Sequence, residues 1–187
     1  IVAIGAWAND GTDGNTDTAD NRGHVRVYQY DASSPAETNQ SNANYGPAGW
    51  NRLGLDIDAE DPDDNGAKSI EISSDGSVVA IGAELNDNNN GVNSGHVRVW
   101  KYSTPGSTGG IWEKLGDDID GEAADDYSGY SVSLSDDGSV VAIGAYTNDG
   151  NGSNSGHVRI YQNNSGTWQQ IGSDIDGEAA GDYSGKS

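Results

Sequence analysis

SVSLSDDGSVVAIGAYTNDGNGSNSGHVRIYQNNSGTWQQIGSDIDGEAAGDYSG, from Ser131 to Gly185, is the cleanest of three copies of one pattern in this 187-residue chain. The pattern recurs as SIEISSDGSVVAIGAELNDNNNGVNSGHVRVWKY from Ser69 and, without its opening, as IVAIGAWANDGTDGNTDTADNRGHVRVYQY from Ile1. The Gly-His-Val-Arg words begin at Gly23, Gly95 and Gly156, spacings of 72 and 61 residues. The aromatic closing words begin at Trp50, Trp112 and Trp168, spacings of 62 and 56. A period of this size means one supersecondary unit is repeated, so the fold is that of the unit multiplied. The first unit is swollen by the loop between Trp7 and Arg22 and by the polar insertion Asp31 to Gly49.

Within the third unit, Ser131 to Ser135 alternates Val132 and Leu134 with serines and ends in the turn Asp136-Asp137-Gly138, which predicts a strand and a tight hairpin. Val140 to Ala145 is apolar nearly throughout, as a strand buried on both faces would be, and Gly144 admits a neighbouring layer closely. His157 to Tyr161 alternates again as a third strand, and Trp168 to Ile175 reads as a fourth, anchored by Trp168, Ile171 and Ile175. The expected fold is therefore all-β: propeller-type blades of four antiparallel strands, about three of them, in a partial or open propeller. The blades fall at 1–68, lacking its first strand, at 69–130, and at 131–187. Ile4, Val79, Ile81, Val132, Leu134, Val141 and Ile143 are expected to pack between layers.

Composition supports this and removes several functions. Only 33% of the residues are hydrophobic, yet they gather into short runs between Gly, Asn and Asp clusters, unlike the unpatterned polarity of a disordered chain. Thirty acidic against nine basic residues give a formal charge of −21, which repels nucleic acid and anionic membrane surfaces. No stretch approaches the roughly 20 apolar residues of a membrane span, so no membrane insertion is expected. Without cysteine there is neither a disulfide staple nor thiol chemistry. There is no Gly-x-Ser-x-Gly elbow, phosphate-binding loop or zinc-type histidine spacing, and the acidic pairs repeat in every unit, so the chain is read as no enzyme.

SGYSVSLSDDGSVVAIGA followed by SGHVRIYQ resembles the FG-GAP repeat of integrin α-subunit propellers and the tryptophan-aspartate repeat, and is most similar to propeller-like arrays in large secreted proteins of aquatic bacteria. The resemblance implies an extracellular or cell-surface location and says little about activity, since propellers serve as enzymes, lectins, adhesins and scaffolds. The integrin-type repeat carries a Ca²⁺ loop between its first two strands. Here the equivalent turns, Ser74-Asp75-Gly76 and Asp136-Asp137-Gly138, are too short to wrap a cation.

Candidate chemistry lies elsewhere. His24, His96 and His157 sit at one place in separate units, which favours hydrogen bonding to the backbone over convergence on a metal. Arg26, Arg98 and Arg159 are expected to pair with the acidic connectors. Those connectors alternate carboxylates: Asp56, Asp58 and Glu60; Asp118, Asp120 and Glu122; Asp174, Asp176 and Glu178, with Asp126 and Asp182 further along. Oxygen-rich groups of this kind suit Ca²⁺, and a solvated turn between blades explains the same residues. Asn9-Asp10-Gly11-Thr12-Asp13 with Asp17, Asn86-Asp87 and Asn148-Asp149-Gly150 read as turns, or as sites for a cation or sugar. Asn39, Asn151 and Asn163 each begin an Asn-x-Ser/Thr acceptor for glycosylation.

Two functions are weighed. One is a non-catalytic structural or adhesive module of a large surface protein or fibre, whose partners are other copies or flanking repeats. The other is a carbohydrate-binding propeller in which Trp7, Trp100 and Tyr146 stack on glycans. Because the chain opens on a second strand, further repeats are expected around it, closing a ring or stacking into a fibre that depends on ionic strength or Ca²⁺.

Overall fold

The computed structural model describes residues 1–9, 21–39, 42, 45–104 and 110–187, and within them every regular element is a β-strand. The first sheet holds β1 (Val2–Ala6), β2 (His24–Tyr30), β3 (Trp50–Arg52) and β4 (Ile57–Asp58). The second holds β5 (Ser69–Ile72), β6 (Val78–Ala83), β7 (His96–Ser103), β8 (Ile111–Lys114) and β9 (Ile119–Asp120). The third repeats it with β10 (Ser131–Leu134), β11 (Val140–Ala145), β12 (His157–Asn164), β13 (Thr167–Gln170) and β14 (Ile175–Asp176). All pairings between these strands are antiparallel, in the order first, second, third, fourth, and no sheet closes on itself.

The fourth strand is not continuous as the sequence suggested. It divides into two short pieces that both pair with the third strand, β13 and β14 with β12 and likewise β8 and β9 with β7. The cause is local: Gly116 and Gly172 lie at φ +85° and +75° between the pieces, a left-handed conformation that interrupts the ladder and re-aims the chain.

Period-two alternation gives each sheet two apolar faces, and the blades stack through them. The trailing face of the first blade, Val25, Val27 and Ile57, packs against Val79, Ile81, Ile70, Ile72, Trp100 and Trp112 of the second. The trailing face of the second, Val78, Ala80, Val97, Val99 and Ile119, packs against Val141, Ile143, Val132, Leu134 and Trp168 of the third. Strand β6 lies between the two clusters and is buried at all six positions, as its unbroken apolar run requires.

Ile4 departs from expectation. It occupies in the first blade the place of Ile81 and Ile143, but its side is the leading face, against which no described residues stack, and it is 53% exposed. Ile171 and Ile175 mirror it on the trailing face of the third blade, exposed at 42% and 53%, whereas Ile119, the equivalent of Ile175 one blade earlier, is 5% exposed.

Close approach of blade and connector needs glycine at several places in each unit, the second strand among them. A Cβ on Gly82 would overlap the backbone oxygen of Gly129 and the Oγ of Ser69, and one on Gly144 would meet Gly185 in the same way. Gly82→Ala is therefore expected to cost about 1–3 kcal/mol through overpacking. For a chain of this size that lowers Tm by roughly 2–4 °C per kcal/mol, read by thermal melting. An unchanged melting curve would contradict the packing described.

Candidate functional site

All connectors, the starts of first and third strands and the ends of second strands gather at one end of the stacked sheets. The local reason is the Asp-Ile-Asp word. Its isoleucine turns to the trailing face to meet the next blade, and its first aspartate turns the other way toward the arginine of its own third strand. Arg26 donates to Asp56 through Nε at 2.9 Å and Nη2 at 2.8 Å, and Arg52 donates to the same carboxylate at 2.6 Å. Arg98 grips Asp118 with two bonds of 3.0 Å, and Lys114 adds a third at 2.8 Å. Arg159 holds Asp174 at 3.2 and 3.4 Å, where Gln170 takes the place of the lysine. Burial alone would raise these aspartates. The guanidinium bonds at Asp56 and Asp118, and at Asp174 the Gln170 amide followed by Arg159, outweigh it, so Asp56 and Asp174 lie below the usual carboxylate range and Asp118 falls to about 2.

The glutamate of each connector goes forward, not back. Glu60 reaches Arg98 of the second blade and Glu122 reaches Arg159 of the third, so each arginine bridges two blades. The carboxylates of one connector are thus divided between two blades. Among the described residues, the acidic and histidine groups that the fold does bring within 4.8 Å of one another are Glu60, His96 and Asp118, and Glu122, His157 and Asp174. In both, a guanidinium already supplies the positive charge between the carboxylates. Asp58 and Asp176 pair through the backbone with His24 and His157, and Asp120 with His96. Burial raises the Asp120 carboxyl. Glu178 is exposed.

A second lock was legible only in part. Asn86 donates its side-chain amide to Asp64 at 3.1 Å, and Asn148 does the same to Asp126 at 2.9 Å, so the Asn of the second-to-third-strand loop ties each blade to the connector before it. Asp64 and Asp126 are buried and their carboxyls are raised for that reason. Asp182 holds the same turn, accepting from the Ala179 amide at 2.7 Å. Asp64 escaped the sequence reading because unit one writes the connector Asp-Pro-Asp-Asp-Asn where the others write Ala-Ala-Asp/Gly-Asp-Tyr, although its spacing from Asp56 equals that of Asp126 from Asp118. Trp112 and Trp168 make the third lock, donating Nε1 to the backbone oxygens of Leu53 and Leu115 in the preceding blade at 2.6 Å each.

The histidines stay apart, one per blade and all buried. His24 Nδ1 lies 2.9 Å from Asn9 Oδ1. Burial, aided by Arg98, holds the His96 imidazole down at about 4, so it is neutral at pH 7. Trp100 is partly buried against the cluster shared by the first two blades. Trp7 is 52% exposed. Tyr146 stands at the connector end among other tyrosines, with Tyr130 at 4.3 Å, Tyr127 at 5.8 Å and Tyr183 at 6.1 Å between ring centroids. Asn151 is exposed, with its amide donated to the carbonyls of Gly177 and Glu178. Asn163 is engaged in the turn after β12, its Oδ1 accepting from Gly166 and its Nδ2 buried. Asn39 lies at the edge of the insertion. Gln40 and Ser41 of its acceptor word, and Asp10 to Asp17 of the first loop, lie outside the described residues.

Antiparallel sheets stacked face to face, joined by connectors at one end, define a β-propeller-type repeat protein in partial form. Residues 119–161 match the family model of the FG-GAP repeat, bearing out that resemblance over the stretch from Ile119 into the third strand β12. The match thus begins in the connector and crosses from the second blade into the third, the same junction that the arginine, asparagine and tryptophan contacts hold together. No curated protein matches the chain.

Proposed function

We propose that this chain is a non-catalytic structural module of a large extracellular surface protein or fibre, extended by blades of its own kind. The observation that carries the reading is the repetition of one inter-blade contact set, three locks around an apolar face, at both junctions of the chain. The third blade presents the same set outward: Ile171 and Ile175 exposed, with Glu178 and Asp182 at the positions from which Glu122 and Asp126 reach a following blade. A surface of this composition is an unmade interface, and the surface that fits it is another blade carrying Trp, Arg and Asn in register. Charge repulsion between modules makes such an assembly sensitive to ionic strength, and Ca²⁺ would act here by screening carboxylates between modules.

Two measurements test this. Immunogold labelling of intact producing cells is expected to mark their outside, and labelling only after permeabilisation would refute the surface location. Electron microscopy of the native material, with and without chelator, is expected to show chelator-sensitive filaments. Discrete closed rings under both conditions would eliminate the fibre.

A further inference from the structure

Repetition makes departures from it informative. In the third blade and the connectors before and after it, three positions of the repeat change character. The place of Asn65 in unit one is held by Tyr127 and Tyr183, that of Lys68 by Tyr130 and Lys186, and that of Trp7 by Glu84 and Tyr146. The result is a group of four tyrosines centred on Tyr146, flanked by two lysines. Lys68 lies 4.8 Å from the Tyr130 ring centre, and Lys186 lies 5.4 and 5.6 Å from those of Tyr146 and Tyr183.

Two features show that this group is more than packing. Tyr127 and Tyr183 both adopt φ +53°, the left-handed region, where a bulky side chain is strained by roughly 1–2 kcal/mol. Unit one fills that place with Asn65 at φ +51°, a residue that tolerates the conformation. The backbone therefore asks for asparagine, and the tyrosine side chains are present against its preference. Beneath them Glu84 is 4% exposed; one carboxylate oxygen pairs with Lys68 while Oε2 is buried without a hydrogen-bond partner. That arrangement fixes the Lys68 ammonium beside the rings at the cost of an unsatisfied oxygen.

We infer that Tyr127, Tyr146 and Tyr183, with Lys68 and Lys186, form a binding platform for a saccharide bearing a carboxylate, such as a uronic acid. Aromatic rings take the C–H face of a pyranose, and their hydroxyls meet its polar edge. The ammonium groups take the carboxylate through charge-assisted hydrogen bonds. A cationic ligand is disfavoured because the Lys186 ammonium beside the rings would repel it. A polyanion such as nucleic acid meets the repulsion of a chain with a charge of −21, whereas a short acidic sugar meets chiefly the local lysines. The inference goes beyond the structural role, and sugar binding is read by experiments separate from those that read surface location and filament formation.

The test is titration of the whole chain with a galacturonic acid trisaccharide, followed by saturation-transfer NMR and calorimetry, with the neutral galactose trisaccharide and a hexaglutamate peptide alongside. Binding of the acidic sugar is expected to weaken with salt, and the neutral sugar to bind about tenfold more weakly. Tyr183→Asn installs the residue that unit one uses at this φ, so stability should hold or rise while affinity falls about tenfold. Lys186→Gln should abolish the preference for acidic over neutral sugar. Absence of saturation transfer from the acidic sugar, equal binding of both sugars, binding of the peptide alone, or undiminished affinity in Tyr183→Asn would each overturn the assignment.

Discussion

Replacing Trp112 by alanine is expected to destabilise the chain by about 3 kcal/mol, the low end of the range for removing a large aromatic from a packed interior, because the ring is partly buried. Trp112 packs on the cluster shared by the first two blades, its ring lies against Gly54, and its indole N–H donates to the Leu53 carbonyl. The substitution opens a cavity between two sheets and also leaves that carbonyl without its donor. Trp112→Phe separates the two effects: it keeps most of the ring and should cost about 1–2 kcal/mol for the lost hydrogen bond and residual space. Urea unfolding of both variants checks this. Losses below 1 kcal/mol for the alanine variant would mean that the blades are not held together here.

Acidification is the second large effect. The His96 imidazole titrates at about 4 in the folded chain and near 6.5 when unfolded, because burial disfavours its charged form. Between these values the unfolded chain binds a proton that the folded chain does not, so stability present above pH 6.5 falls as pH drops toward 4. The full loss corresponds to roughly 3 kcal/mol. Asp118 adds a second window with the same sign: held at about 2, it contributes stability above the ordinary carboxylate range that disappears as pH falls through 2. Asp64 and Asp126 act oppositely, since their raised carboxyls take up protons on folding and favour the folded state as pH falls. His96→Gln isolates the first contribution. Urea midpoints of the variant should lose the slope between pH 6.5 and 4 that the parent chain shows, and parallel profiles would refute the assignment.

How far the sequence reached follows from where the information lies. Strand identity was legible because period-two alternation and Asp-Gly turns are local: Ser69–Ile72 and Ser131–Leu134 became first strands, and Val78–Ala83 and Val140–Ala145 became buried second strands. The pairing of Arg26, Arg98 and Arg159 with connector aspartates was also within reach, since donor and acceptor recur at the same places in each unit. The split of the fourth strand was not, because Gly116 and Gly172 are as compatible with a strand interior as with a break until the ladder is seen.

What the sequence by itself determined was the repeated unit, its all-β character, the absence of thiol chemistry, and the resemblance to propeller blades; each depends on residue type and spacing alone. Tertiary structure decided which carboxylates meet. Asp56 and Glu60, four residues apart, turn to different blades, while Glu60 and Asp118, far apart in the chain, share one guanidinium. It also decided that Ile119 is core and Ile175 is surface, although their words are the same, because burial is a property of the neighbouring blade and not of the residue. The tyrosine group arose likewise: Tyr127, Tyr146 and Tyr183 belong to three separate words, and only the stacking of blades on a common connector end places their rings together.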